Sequence, residues 1–291
     1  MKTLEIEHEV PIPTWFGIGG QAARMARPAS IDDVREALDL DRSLRVLGDG
    51  ANLLVHDDGI ADLVVSLSEM DEIGFDGDAV EVGAGVPLPK LLIEAARRDL
   101  EGLEGLAGIP ASIGGAIRMN AGGTFGAIDD VVEWVDVVRR DGRVERLERS
   151  SIPFAYRHSG LERDIIVGAR LHLRPGEAVR DRLKSCMAYK KRTQPMGEKS
   201  AGCCFRNPTL TEAIGGIGER GDRVSAGLLI DRSGGKGLRL GGAEVSNVHA
   251  NFVTTHAGAR ASDVIELMER MQAIVMDRYG VRIEPEVVVW R

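Results

Sequence analysis

Cysteine is nearly absent from this sequence: Cys186, Cys203 and Cys204 are the three in 291 residues. That is too few for a disulfide framework, and neighbours such as Cys203 and Cys204 rarely bond to each other. The chain therefore reads as a reduced, cytoplasmic protein. There is no CxxC pair and the six histidines are scattered, so no metal site is expected. Aromatic side chains make up 4%, and 37 Lys and Arg are outweighed by 45 Asp and Glu. A net charge of −8 argues against nucleic acid as a partner, while leaving room for a local basic pocket around a phosphorylated ligand. No apolar run approaches the roughly 18 residues of a membrane span. The start, MKTLEIEHEVPIPTW, lacks the basic and apolar regions of a signal peptide, so no membrane insertion is expected.

What the chain has in quantity is glycine, 36 residues, distributed among alternating helical and strand patterns. Ser30 and Asp33 form a capping box ahead of VREALDL. LRVLGDGANLLVH reads as strand, glycine turn and second short strand. Strands dominate from Ile60 to about Arg174, interrupted by one helix that Pro89 opens and Gly102 follows. EAVRDRLKSCMAYKKR has helical spacing with Leu183, Cys186 and Met187 on one face, which makes Cys186 a core residue. A last strong helix carries Val264, Ile265, Met268, Met271 and Val275, with Ser262 available as its cap and Gly280 as its stop. VRIEPEVVVW then reads as a strand bearing two glutamates.

Three glycine-rich loops stand out: FGIGGQAA, GDGANLLV and GIPASIGGAIRMNAGGTFG. Without Cβ atoms, backbone N–H groups can converge on phosphate oxygens. None of the three is a Walker loop or follows the strand–GxGxxG–helix order. Singly, each is as readily a plain turn as a ligand site. Three in one chain favour a large phosphate-bearing ligand, and the residues alone carry the reading no further.

Seven blocks occur in order from Thr14 to Val287: TWFGIGG, LGDGANLLV, GLEGLAGIPASIGGAIRMNAGG, FAYRHSG, RTQPMGEKSAGCCFRNP, AGLLIDRSGGKGLRLGGAEVSNVHANFV and IEPEV. Together they resemble the UDP-N-acetylenolpyruvoylglucosamine reductase family (UDP-N-acetylmuramate dehydrogenase, MurB). The resemblance implies an α+β fold: an FAD-binding module of the vanillyl-alcohol-oxidase (PCMH) type in two subdomains, residues 1–58 and 59–178. A UDP-sugar-binding domain, 179–280, and a C-terminal strand, 281–291, would complete it. It implies non-covalent FAD, reduced by NADPH, and hydride transfer from the flavin N5 to UDP-N-acetylglucosamine enolpyruvate, a small-molecule substrate. The product would be UDP-N-acetylmuramate for peptidoglycan, made in the cytoplasm by a monomer.

By the same resemblance, Gly48, Asp49, Gly50, Ala51, Asn52 and Leu53 belong around the cofactor, as do Ile113, Gly114, Gly115, Asn120, Ala121 and Gly122. Hydride addition leaves negative charge on the carbon that bears the carboxylate. A cation and hydrogen-bond donors must be fixed there, and an acid must deliver a proton to it. Arg157 matches the family arginine beside the substrate carboxylate, with Tyr156 next to it. Glu286 matches the family glutamate that shares in stabilising the enol, in protonated form. Glu284, two residues away, would share its face in a strand. The family proton donor is the serine of SAGS, and Cys203 stands in that place here. In an extended segment adjacent side chains face opposite ways, so Cys204 is expected to pack inward. Arg192, Gln194, Arg206, Asn207 and His249 are the substrate candidates, and Arg206 stands where the family often has lysine.

Without the resemblance, Arg157 reads equally as a surface ion-pairing residue and Glu286 as a solvated one. Two rival readings remain. One is another FAD enzyme of the same fold, whose flavin tether could only be His56. The other is a non-catalytic flavin or nucleotide-sugar binding protein, which should lack one of the arginine, acid and glutamate trio.

Overall fold

Ser30 caps the first helix as its spacing demands. Its hydroxyl accepts from Asp33 N at 3.2 Å, and the Asp33 carboxylate returns a bond to Ser30 N at 3.0 Å. This helix, α1 (Ile31–Leu40), buries Val34, Ala37 and Leu38 on one stripe. The second, α2 (Leu88–Arg97), begins with proline in its first turn and buries Leu88, Leu91, Leu92, Ala95 and Ala96. It stops earlier than Gly102 implied. Asp99 already takes the left-handed conformation at φ +52°, one that aspartate tolerates better than most residues.

The computed structural model describes residues 4–291, and the chain divides into two units. The first holds the chain up to Pro11, Ala22–Asp49 and Ala61–Lys190. It contains a four-stranded sheet in the order Ile6–Pro11, Gln21–Ala26, Ile60–Ser66, Arg45–Leu47. A five-stranded antiparallel sheet follows the order Val144–Glu148, Val132–Val138, Ile165–His172, Ala79–Gly83, Ile73–Asp76. Its apolar side joins α1, α2 and the short α3 (Ile113–Arg118) in one core. On its wet side Arg146 forks onto Asp136 at 2.8 Å and lies 3.4 Å over the Trp134 ring.

The helix read from EAVRDRLKSCMAYKKR is α4 (Val179–Thr193), but its apolar face is not core. Leu183, Cys186 and Met187 are half-buried, and only Val179 and Lys190 are buried. Charge docks this helix instead. Arg182 Nη2 meets Glu101 at 2.6 Å and its Nε meets Glu104 at 2.9 Å. Burial alone would raise the Glu104 carboxyl, but backbone N–H groups, Gly102 N among them, and then Arg182 hold it below its ordinary value.

The second unit takes Ile12–Gln21, Gly50–Ile60 and Lys191–Arg291. A three-stranded antiparallel sheet (Arg239–Leu240, Ala243–Val245, Val253–Thr255) shares a core with α5 (Ala226–Arg232) and α6 (Ala261–Tyr279). Val264, Met268, Met271 and Val275 of α6 are buried as their spacing requires, and Gly280 ends the helix at φ +65°. Ser262, however, lies inside the helix and does not cap it. Asp57, some two hundred positions earlier, takes Ala261 N at 2.8 Å and Ser262 N at 3.1 Å. The terminal strand is also shorter than its pattern. Only Val288–Trp290 pairs, parallel to Leu53–Val55. The residues before it follow a different path, set out below.

Candidate active site

The glycine loops do two different jobs. In the first unit, Gly48, Asp49, Gly114 and Gly115 line a cavity of about 210 Å³ with Ala84, Gly85, Ser112 and Arg118. A Cβ on Gly48 would stand 2.6 Å from Ser112 Oγ, and one on Gly114 would stand 3.0 Å from Ala84 Cβ. Side chains at these positions would therefore fill the cradle. Ser112 Oγ accepts from Gly115 N at 3.3 Å and fixes the first turn of α3. Arg118, half-buried, has its guanidinium pKa lowered, first by desolvation, with partial relief from Glu162. Bare backbone N–H groups, the Ser112 hydroxyl and Arg118 offer donors to a polar part of a dinucleotide, and Asp49, Asp71 and Asp164 set carboxylates on the same wall. The volume is below the roughly 300–1,000 Å³ of pockets that take a whole ligand, so this cavity holds a portion of one.

The remaining residues expected around a cofactor do not line this cavity. Ile113 is fully buried in the core of the first unit. Ala121 and Gly122 turn the chain into a small hairpin, with Gly122 paired to Ala127. Asn120, 6% exposed, sits at φ +42° and spends its side chain on structure: Nδ2 donates to Ala155 O at 3.0 Å. That bond anchors the turn carrying Tyr156 and Arg157, which the mutual Ala155–His158 backbone bonds of 2.8 and 3.1 Å close. Arg157 is left-handed at φ +56°, its guanidinium 5.2 Å from the Tyr156 ring centroid. A non-glycine residue held there is unusual and marks the turn as constrained.

Gly50, Ala51, Asn52 and Leu53 belong to the second unit. A side chain on Gly50, at φ +64°, would run into the Pro13 carbonyl, so this glycine serves chain packing. Leu53 is in the strand paired with Val288. Asn52 Nδ2 donates to Glu286 O at 2.9 Å, and Asn52 O accepts from Val288 N at 3.1 Å.

The segment around the two cysteines runs between two others of the same unit. Cys203 bridges Phe252 on one side, and Phe205 bridges Pro285 on the other. Cys204 N donates to Asn251 O at 2.7 Å, while Cys204 O accepts from Glu286 N at 2.7 Å. In a regular strand both groups of one residue face the same neighbour, so the chain bends at Cys204. Cys203 is half-exposed and Cys204 fully buried, as expected, yet Phe205 is buried too, so the bend and not simple alternation separates the thiols. Desolvation above all, with the Cys203 and Glu286 charges, pushes the Cys204 thiol up to about 12, against one opposing bond from the backbone of Val253. It is an inert packing group. Glu286 is half-buried and Glu284 exposed, so burial separates the two glutamates.

The other substrate candidates are all in the second unit. Arg192 is exposed at the end of α4 and Gln194 is half-buried just beyond it. Arg206 donates its backbone N to Glu284 O at 2.9 Å, and its buried Nε has no partner. A buried guanidinium N–H without an acceptor fits an anionic or carbonyl ligand. Asn207 Oδ1 accepts from Ala226 N at 3.0 Å, capping α5 together with Ser225. His249 Nδ1 accepts from Asn251 N at 3.2 Å, and its ring packs edge-on to Phe252 at 4.9 Å. Desolvation, and then the charge of Lys236, lowers its pKa against one opposing backbone hydrogen bond, which favours the neutral imidazole. His56, the conceivable flavin tether, pairs with Asp58 at 3.2 Å and does not line the glycine cavity. Among the described residues no group of His, Cys, Asp and Glu could hold a metal, and no helix is long and apolar enough to cross a membrane.

Two family models match the chain. Residues 22–148 fit an FAD binding domain, and residues 194–290 fit the UDP-N-acetylenolpyruvoylglucosamine reductase C-terminal domain. A UDP-N-acetylenolpyruvoylglucosamine reductase of Moorella thermoacetica is 39% identical over 284 residues, covering 95% of this chain and 90% of the relative. The chain belongs to the UDP-N-acetylenolpyruvoylglucosamine reductase family. A second such reductase, of Acidiphilium cryptum, is 39% identical over 287 residues, 96% of this chain and 89% of its own. The crystal structure of the Thermus caldophilus enzyme superposes with a TM-score of 0.82 at 37% identity, covering 99% of both chains. The fold is thus the α+β one the family blocks implied, an FAD-binding module followed by a MurB-type C-terminal domain. Ser112 and Arg118, which line the cavity, and Asn251, which holds the cysteine segment, escaped the sequence reading. The first two lie inside a block read for its glycines, and nothing in the spacing marks an asparagine whose partner is 46 positions away.

Proposed function

We propose that the chain is an FAD-dependent UDP-N-acetylenolpyruvoylglucosamine reductase, using NADPH to convert UDP-N-acetylglucosamine enolpyruvate into UDP-N-acetylmuramate for peptidoglycan. The observation that carries this reading is the half-exposed Cys203 next to Cys204, whose carbonyl accepts from Glu286 N, in a chain that covers 99% of a solved family member. In the same reading the protein works as a monomer in the cytoplasm. Bound FAD supplies a ring nitrogen able to accept a hydride from one partner and give it to another. Gly48, Asp49, Gly114 and Gly115 are the chain's means of holding it.

The chain's own residues then have three tasks. Arg157 grips the substrate carboxylate with a two-pronged guanidinium, and Tyr156 flanks it. Glu286, in protonated form, donates toward the developing enolate oxygen. Cys203 delivers the proton to the carbon bearing the carboxylate. A thiol with an ordinary pKa near ~8.5 is a far stronger acid than a serine hydroxyl, so the exchange of serine for cysteine keeps the proton available. Arg192, Gln194, Arg206, Asn207 and His249 surround the nucleotide sugar. Asn207 and His249 do so with one side-chain atom each already committed to the fold.

An anaerobic experiment tests the reading. The FAD-loaded protein is reduced with one equivalent of NADPH, the enolpyruvyl nucleotide is added, and flavin absorbance is followed. Return of the oxidised spectrum with formation of UDP-N-acetylmuramate is expected. A flavin that stays reduced means that the substrate is wrong.

A further inference from the structure

Asn251 is 2% exposed and has no freedom left. Its Oδ1 accepts from Phe205 N at 3.0 Å and its Nδ2 donates to Phe205 O at 2.8 Å. Its own carbonyl accepts from Cys204 N at 2.7 Å, and its own N–H donates to His249 Nδ1 at 3.2 Å. One residue thus satisfies three backbone groups of the cysteine segment, Cys204 N, Phe205 N and Phe205 O. The need arises from the bend at Cys204, which directs that residue's N–H and C=O to different neighbours. A regular ladder stops there, and the buried Phe205 amide and carbonyl would be left unpaired without a side chain that offers donor and acceptor together. On the other flank Glu286 N donates to Cys204 O at 2.7 Å, and Asn52 Nδ2 holds Glu286 O at 2.9 Å.

We infer that Asn251 is a positioning residue for the reduction: its side-chain amide clamps the Phe205 peptide groups and thereby fixes the path of the segment that carries the Cys203 thiol. The inference rests on Cys203 being the proton donor. It assigns Asn251 no contact with substrate, because both ends of its amide are already engaged. A proton donor must stand within hydrogen-bond reach of the carbon it serves. A displacement of about 1 Å can lower a rate by up to about 10²-fold. Leucine matches asparagine in shape but bonds to neither Phe205 group. Aspartate keeps the acceptor for Phe205 N and sets a carboxylate oxygen against Phe205 O.

The test compares FAD-loaded wild type with Asn251→Leu, Asn251→Asp and Cys203→Ala in separate half-reactions under anaerobic conditions. For Asn251→Leu we expect flavin reduction by NADPH at the wild-type rate. Reoxidation at saturating enolpyruvyl nucleotide should fall roughly 10- to 100-fold, with the nucleotide's Kd for the oxidised enzyme within about twofold of wild type. Alkylation of Cys203 by iodoacetamide, followed by peptide mass, should quicken several-fold, since the segment loosens while Cys204 stays buried. Asn251→Asp should show the same pattern, weaker, and decides the matter if the leucine variant does not hold flavin. Wild-type reoxidation and alkylation rates overturn the inference. So does a raised Kd with an intact rate at saturation, which marks a substrate ligand, or equal loss of both half-reactions in the aspartate variant, which marks a general folding role. If Cys203→Ala reoxidises normally, the donor assignment itself falls, a separate outcome from any of these.

Discussion

The glycine cavity of the first unit and the cysteine segment of the second are built on opposite plans. The cavity is made by subtraction. Gly48, Gly114 and Gly115 leave out side chains, so that bare backbone lies beside Ser112, Arg118, Asp71 and Asp164 in the wall. The cysteine segment is made by addition. Three stretches of chain, each too irregular to form a full ladder, are stitched together by the side-chain amides of Asn251 and Asn52. The first plan tolerates no added bulk, and the second tolerates no lost hydrogen bond. Damage to the cavity should appear in cofactor retention, and damage to the segment in reoxidation of the flavin by the enolpyruvyl nucleotide.

The sharpest break in that comparison comes from Cys203→Ala. Reoxidation by the enolpyruvyl nucleotide should drop by about 10²–10⁴-fold, the usual span for a lost general acid, while reduction by NADPH is unchanged. Cys203→Ser should retain turnover, and Cys204→Ala should stay close to wild type in both half-reactions. Equal, near-normal reoxidation in the two alanine variants would sink the assignment.

Next in size is Glu286→Gln. The amide keeps a donor but cannot share a proton, and a loss of roughly 10²-fold in the same step is expected, as for removal of a fixed donor at a developing oxyanion. Glu284→Gln, at the exposed position, should change little, and stopped-flow rates for the pair separate the two glutamates.

Gly48→Ala tests the other plan. Its Cβ would meet Ser112 Oγ, so the α3 cap must give way. Roughly tenfold weaker FAD retention is expected, about 1.4 kcal/mol, measured by flavin release during gel filtration. The rates of whatever enzyme keeps its flavin should be near normal.

The smallest effect belongs to Asp57→Ala, which removes the α6 cap at a cost of about 1 kcal/mol in thermal unfolding at neutral pH. Burial pushes the Asp57 carboxyl up, but the N–H groups of Ala261 and Ser262 outweigh it and leave the folded pKa lowered. A lowered carboxylate stabilises above its unfolded pKa of about 3.9 and loses that contribution as pH falls through the folded value. The gap between variant and wild type should therefore be full at pH 7 and close below about pH 4.

The sequence was most readable where the rule is local. The Ser30–Asp33 box, the buried stripe of α6 and the Gly280 stop all rest on contacts within a few residues, and each stands where its spacing put it. Reading failed where a partner was far away. Ser262 looked like the α6 cap, yet Asp57 took that role from another part of the chain. Cys186 looked like core, yet α4 is docked by Arg182 against Glu101 and Glu104, so its apolar face is only half-covered. The glycine loops were visible as glycine, but not which would line a cavity and which, like Gly50, would merely let two strands of chain pass.

By itself, then, the sequence determined the family and the acidic character of the chain, and it supplied the candidates for proton delivery and charge stabilisation. Those follow from ordered motifs and composition. Only the tertiary structure decided that Cys203 is reachable while Cys204 is sealed, because that depends on a bend at which two distant segments, around Asn251 and Glu286, divide the N–H and C=O of Cys204 between them. Hydrogen-bond partners separated by 46 residues or more leave no periodicity in the chain, so burial at such a point is settled only when those segments meet.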